Sequence, residues 1–173
     1  KAHSLAIDFG KKSLSAGTQY YITLYIGPVT RTMVAIAATT GNQDCHIILR
    51  GGKTTNYDAD SVDAAAKAAQ KAGLNPAILI DASHANSSKN PENQPLVLAG
   101  IGDQLASGDK RIIGVMVESN LVAGRQDLVP GQPLTYGQSI TDGCIDWDTT
   151  VAALEALAGA VEKRRAVTKK AVA

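Results

Sequence analysis

Only two cysteines, Cys45 and Cys144, occur in the 173 residues. They are too few and too far apart for a disulfide framework or a CxxC zinc site, so reduced thiols in a reducing compartment are the reading for Cys45. Charge of one sign is also missing. Seventeen basic residues face sixteen acidic ones, for a formal net charge of +1, and nothing in the bulk charge draws the chain to nucleic acid or a membrane. No apolar run approaches the roughly 20 residues of a membrane-spanning helix. The start, Lys1-Ala2-His3-Ser4, has neither an initiator Met nor an apolar signal core behind it. The expectation is therefore a cytoplasmic protein, read as a fragment whose beginning is missing. Two motifs are absent as well: no GxGxxG loop opens a helix, and no GxSxG nucleophile elbow is present, which argues against a doubly wound nucleotide fold and against serine chemistry.

What is present is a repeat of strand, loop and helix. Cys45-His46-Ile47-Ile48-Leu49 is a short apolar run of the kind buried on both faces of a parallel sheet. Gly51-Gly52 ends it, and a helix follows from about Asp60 to Ala72, with Val62, Ala65, Ala66, Ala69 and Ala72 on one stripe. A second strand, Ala77 to Asp81, leads through a polar loop, Ser83 to Asn93, to a helix from about Pro95 to Gly108. The third strand is Ile112 to Val117, followed by a long loop from Glu118 to Trp147. The last helix is expected after an N-cap at Asp148 or Thr149, with Val151, Leu154, Leu157 and Val161 as its apolar stripe. Ile145 and Trp147 read as core residues anchoring the last loop. Ala166 to Ala173 reads as a frayed basic tail. Upstream, Tyr20 to Ile26 could be one more barrel strand, Met33 to Thr39 one arm of a hairpin turning at Gly41-Asn42 into the Cys45 strand, and Ser4 to Lys12 a helix end.

Strand starts at residues 45, 77 and 112 give the spacing of βα units, so the expected class is α/β with a parallel sheet. Arg50, then Asp81 and His84, then Glu118 each stand where a strand ends. A (β/α)8 barrel builds its active site from the C-terminal ends of different strands, and this pattern favours a barrel over an open sheet. One imidazole and two carboxylates, at His84, Glu118 and Asp142, suit a divalent cation such as Mn²⁺, Fe²⁺, Co²⁺ or Zn²⁺. Separate capping roles for the three are the commoner explanation on spacing alone. Arg50 beside Gly51-Gly52-Lys53 could meet a phosphate or carboxylate bidentately, or be a surface arginine in a turn. Lys53 and Lys89 could join such an anion site.

Four stretches carry a family likeness. Gly41 to Lys53 resembles the segment around the sixth barrel strand of the class I 3-deoxy-arabino-heptulosonate-7-phosphate (DAHP) synthases. Ile80-Asp81-Ala82-Ser83-His84-Ala85-Asn86-Ser87-Ser88-Lys89 resembles the seventh, Gly114 to Ser119 the eighth, and Tyr136 to Trp147 the final loop. The resemblance implies the C-terminal part, about strands 5–8, of a (β/α)8 barrel. It implies condensation of phosphoenolpyruvate with erythrose 4-phosphate to DAHP and phosphate, the first step of the shikimate pathway, in an enzyme compatible with a homo-oligomer. It places metal ligands at His84, Glu118 and Asp142, a phosphoenolpyruvate-binding arginine at Arg50, and His84 where it orients metal and substrate together. The family's metal-binding Cys and its Lys-Pro-Arg-Thr segment come from strands with no counterpart here. The fifth-strand Val-Thr-Lys-x-Gly segment is matched only by Val29-Thr30-Arg31-Thr32-Met33, which puts Arg31 in the place of a substrate-binding lysine with the glycine lost.

The organisation expected is thus a diverged segment or misread gene structure over residues 1–33, a DAHP synthase half-barrel over 34–165, and a basic tail over 166–173. Two rivals stay open: a non-catalytic partial copy that pairs with a full-length synthase, and the related barrel that makes an eight-carbon sugar acid from arabinose 5-phosphate. A (β/α)8 barrel typically needs ~250 residues, so the isolated 173 residues are expected to lack activity. Measurable DAHP formation by the purified chain would overturn that expectation.

Overall fold

The computed structural model describes residues 6–7, 19–25, 32–38 and 46–170, in two units, Lys1–Cys45 and His46–Ala173. In the first unit, β1 (Ala6–Ile7), β2 (Gln19–Tyr25) and β3 (Thr32–Ala38) form an antiparallel sheet in the order β1-β2-β3. Gln19 pairs with Ala38 and Tyr25 with Thr32. This corrects three expectations. The tyrosine-rich run pairs antiparallel with its neighbour instead of serving as a parallel barrel strand, the 33–39 run pairs back onto β2 and not forward onto the next strand, and residues 6–7 are strand, not helix. Runs this rich in Tyr, Ile, Val and Thr are β-prone, but composition does not say which partner or direction they take. Arg31 and Cys45 lie outside the described residues.

In the second unit the expected βα repeat is present. β4 (Ile47–Leu49), β5 (Ile78–Asp81) and β6 (Ile112–Met116) are parallel, in the order β4-β5-β6. Leu49 pairs with Ile80, and Asp81 pairs with Met116, after an irregularity near Ile78. Helices α1 (Ala59–Lys71), α2 (Gln94–Ala106) and α3 (Trp147–Lys170) complete the unit.

Helices α1 and α3 start where a side chain satisfies unpaired N–H groups, while α2 starts at Asn93 with no side-chain cap. Asp58 caps α1, accepting from the Ser61 backbone N–H at 2.9 Å and from its hydroxyl at 2.7 Å, and these bonds hold the Asp58 carboxyl below its ordinary range. Gly73, at φ +72°, lets the Leu74 N–H reach back to Ala69 O at 2.9 Å and close the helix end. A 3₁₀ turn, Pro91–Asn93, leads into α2. Asp146 caps α3 by accepting the Thr149 N–H at 2.8 Å. The cap is therefore two or three residues earlier than expected, because Asp146 offers its carboxylate at the spacing an N-cap requires. That start carries Trp147 onto an exposed face, 56% accessible, in place of the core role expected for it; Ile145 is buried as expected. At the other end α3 runs on to Lys170, so the basic segment is helical where a frayed tail was expected. Ala166 and Val167 continue the helix without a breaker.

The core lies between the sheet and its helices. Ile78 and Ile80 of β5 and Ile112 of β6 pack with Val62 and Ala66 of α1, Val97, Leu98, Ile101 and Leu105 of α2, and Leu157 and Ala160 of α3. Burying each large aliphatic contributes about 1.5–3 kcal/mol. The stripe expected on α3 is offset: Leu154 is half exposed, and Ala153 and Ala160 take the packed positions with Leu157 and Val161. Ile48 and Ile113 stand outside this core and are more than half exposed. The expected long loop after β6 also contains a short parallel pair, β7 (Val122–Arg125) and β8 (Gln138–Ser139), too short and too glycine-interrupted to read as strands from pattern.

At the end of the sheet where β6 begins, Arg111 donates to Asp109 (2.7 Å) and to Asp63 of α1 (2.8 Å), while Arg164 of α3 donates to the carbonyls of Asp109 and Ile112. The Arg111 bonds hold the Asp109 carboxyl below its ordinary value of 3.8; Lys67 first and then Arg111 do the same for Asp63. Folding thus lowers both pKa values, so near pH 4 the folded chain binds fewer protons than the unfolded one. Stability should therefore be fully present above that pH and fall as acid carries it below. Denaturant midpoints measured between pH 6 and pH 3 should decline, and R111M should flatten the decline; equal slopes would refute the assignment.

Candidate active-site rim

Parallel pairing puts the C-terminal ends of β4, β5 and β6 at one edge, and the residues that follow them make the rim. Arg50 follows Leu49 directly and is exposed. Asp81 ends β5 and is buried at 3% exposure. Its Oδ1 accepts the Ser83 N–H at 2.8 Å and the Ser83 hydroxyl at 2.7 Å, while its Oδ2 lies 2.7 Å from His84 Nδ1. The Ser83 hydroxyl also lies 2.7 Å from Nδ1. A bare ring nitrogen facing a carboxylate at that distance would set lone pair against lone pair, so Nδ1 carries the hydrogen and Nε2 is left with its lone pair in the neutral ring. His84 itself sits at φ +50°, a left-handed conformation that costs a residue with a Cβ, and Ser88 and Lys89 share it at +56° and +59°. The bond from the Lys89 N–H to His84 O, at 2.7 Å, holds the loop in that shape.

A chain of contacts through Gly51, Asn56 and Asn86 locks the neighbouring loop against this one. Gly51 has φ +74°, and a Cβ there would come 2.8 Å from Ala85 Cβ, so only glycine lets the Arg50 loop approach the His84 loop so closely. The Gly51 N–H donates to Asn56 Oδ1 at 2.7 Å, and the Asn56 N–H donates to Asn86 Oδ1 at 2.8 Å. Asn86, 4% exposed, then donates through Nδ2 to the carbonyls of Leu49 (3.2 Å) and Asp81 (2.8 Å). One carboxamide therefore ties the ends of β4 and β5 and the loop between Arg50 and α1.

Glu118 follows β6 by two residues. Its carbonyl accepts from the Ile145 N–H at 3.0 Å, and Gly124 and Cys144 exchange backbone bonds of 2.8 and 3.1 Å. These pairings draw the 142–145 segment alongside Glu118. Cys144 is buried; burial pushes its thiol upward against the opposing pull of the Ser139 side chain, with a smaller rise from the negative charges of Glu118 and Asp142. Asp142 itself is exposed. The backbone pairing thus brings the 142–145 segment beside Glu118, and parallel pairing sets His84 and Arg50 on the same edge of the sheet. Among the described residues, no group of three or more His, Cys, Asp or Glu side chains is assembled closely enough to hold a metal ion. The donor types still suit a mixed N/O cation site, and the fixed Nδ1–H tautomer of His84 is what a metal-binding histidine needs. Lys53 and Lys89 are exposed, and Arg31 is outside the described residues. A hollow of about 580 Å³ between α2 and α3 is lined mostly by small apolar residues and holds none of these groups.

Asn56, Asn86 and Gln94 are positional partners that no sequence pattern marked. Asp81 stood out as a strand-end acid, but its bond to His84 depends on a turn that spacing does not reveal. No helix among the described residues is long and apolar enough to cross a membrane.

A family profile described as the DAHP synthetase I family matches residues 11–155. The chain is 56% identical over 131 residues to the Phe-sensitive phospho-2-dehydro-3-deoxyheptonate aldolase of Escherichia coli K12, covering 76% of this chain and 37% of that protein. It is 51% identical over 166 residues to a putative phospho-2-dehydro-3-deoxyheptonate aldolase of Schizosaccharomyces pombe, covering 94% of this chain and 44% of the relative. A solved phospho-2-dehydro-3-deoxyheptonate aldolase from Francisella tularensis SCHU S4 superposes with a TM-score of 0.75 at 44% identity, over 86% of this chain and 42% of that one. The chain spans about four-tenths of the length of these relatives.

The Asn86 carboxamide has a measurable consequence. N86A would leave a buried N–H and two strand-end carbonyls without their partner, so it should lower stability by about 1–3 kcal/mol. An unshifted urea midpoint would show that the loops hold without it.

Proposed function

The chain belongs to the DAHP synthetase I family, and from that premise we propose that it serves the condensation of phosphoenolpyruvate, erythrose 4-phosphate and water to DAHP and phosphate, opening aromatic biosynthesis. In this reading β4, β5 and β6 are consecutive strands of a (β/α)8 barrel. The exposed Ile48 and Ile113 support it, because a closed barrel turns one face of every strand inward to be filled by such side chains.

The observation that carries the proposal is the bond between buried Asp81 and His84 Nδ1. It holds the ring in one tautomer and leaves the Nε2 lone pair free of the Asp81 carboxylate. His84, Glu118 and Asp142 would then hold a divalent cation such as Mn²⁺, Fe²⁺, Co²⁺ or Zn²⁺. When bound, that cation supplies Lewis-acid polarisation of the aldehyde oxygen of erythrose 4-phosphate. Arg50 presents a planar, permanently charged fork to the carboxylate or phosphate of phosphoenolpyruvate. The Gly51–Asn56–Asn86 chain keeps the Arg50 loop close to the His84 loop, so that the bound phosphoenolpyruvate would present its methylene carbon to the aldehyde carbon.

A chimera tests the reading. Residues 46–165 replace their counterparts in the E. coli relative, and phosphate release is followed with both substrates. The expected result is chelator-sensitive turnover that H84A, in the same chimera, lowers by at least about a hundredfold, the scale of a lost acid–base or ligand group. A folded chimera with no turnover would sink the proposal and favour the non-catalytic partial copy.

A further inference from the structure

Gln94, the first residue of α2, is fully buried, at 0% exposure. Burying a carboxamide is costly unless every polar atom is matched. Both ends of this one are matched by a single residue: Nε2 donates to Glu118 O at 3.0 Å, and Oε1 accepts the Glu118 N–H at 2.8 Å. β6 ends at Met116, so at Glu118 no neighbouring strand supplies these bonds; the Gln94 side chain reproduces the two-point pairing of an antiparallel strand. With the Ile145 N–H also on Glu118 O, the backbone on both sides of the Glu118 Cα is held. The direction in which the Glu118 side chain leaves the chain is then set from α2, the helix that follows the His84 loop.

We infer that Gln94 is a positioning residue for Glu118, holding its carboxylate toward the site that His84 shares. This rests on the metal reading proposed above. Neither common replacement can do the same. A methionine fills the space but neither donates nor accepts as required. A glutamate keeps the acceptor, loses the donor, and adds a negative charge beside the two of Glu118 and Asp142.

The experiment uses the full chain and Co²⁺ as probe, with wild type, Q94M, H84A and V97A. Val97 lies in the same helix and is equally buried, but it belongs to the core, so V97A reports what simple destabilisation does. Wild type should bind Co²⁺, H84A should bind it more weakly, and Q94M should lose about 10–100-fold in affinity, the usual effect of removing a partner of a ligand. V97A should stay within about twofold of wild type even where its denaturant midpoint falls as far. Without metal, hydrogen exchange at the Glu118 amide should accelerate at least about tenfold in Q94M beyond its loss of global stability, and should not do so in V97A. Wild-type affinity in Q94M alongside weakened H84A would overturn the inference and leave the metal reading standing. Equal losses in Q94M and V97A would reduce Gln94 to a structural part, which also overturns it. Co²⁺ binding that is absent, or indifferent to H84A, would overturn the metal reading and the inference with it.

Discussion

Everything at the rim depends on three short strands lying parallel and in step. Because Leu49 pairs with Ile80 and Asp81 with Met116, whatever follows each strand emerges at the same edge. An arginine, an acid–histidine pair and a glutamate, far apart in the chain, stand along one edge for that reason. The hydrogen bonds of the ladder are satisfied within the strands, which leaves the following loops free to carry polar groups that a core would not tolerate.

A shared edge does not by itself make a site, since loops wander. Here three carboxyl or carboxamide groups remove that freedom. Asp81 settles both the tautomer and the direction of His84, Asn86 joins the ends of two strands, and Gln94 holds the backbone of Glu118. All three are nearly inaccessible to water. A buried polar group that is fully paired is rigid, because breaking any one bond leaves an unsatisfied atom in a low-dielectric interior. The left-handed backbone at His84, Ser88 and Lys89 fits the same picture, with strain held in place by the bonds around it.

The opposite edge is organised differently. Arg111 and Arg164 there bridge helices and strand ends through carboxylates and carbonyls. These contacts join elements that the chain separates by about 50 residues. One end of the sheet is thus held by ion pairs and carbonyl bonds, while the other carries the candidate site residues.

Much of the second unit was legible in residue order. Apolar runs of strand length alternate with alanine-rich helical stripes, and that alternation alone dictates a parallel α/β layer and names its core, since a stripe must be buried against something. The residue types at the strand ends, and their likeness to one family, pointed to His84, Glu118, Asp142 and Arg50. Other features were decided only by tertiary structure. The Tyr20 run has the composition of a strand, yet its partner and direction came from packing. The Asp146 cap, the outward face of Trp147 and the helical end of α3 turned on local bonds that any of several nearby residues could have made. The roles of Asn56, Asn86 and Gln94 needed the fold most of all. A carboxamide acquires meaning only from what its two polar atoms face, and those partners lie 24 to 37 residues away for the long-range bonds. Periodicity records which side of an element is buried; it does not record which distant backbone group waits there.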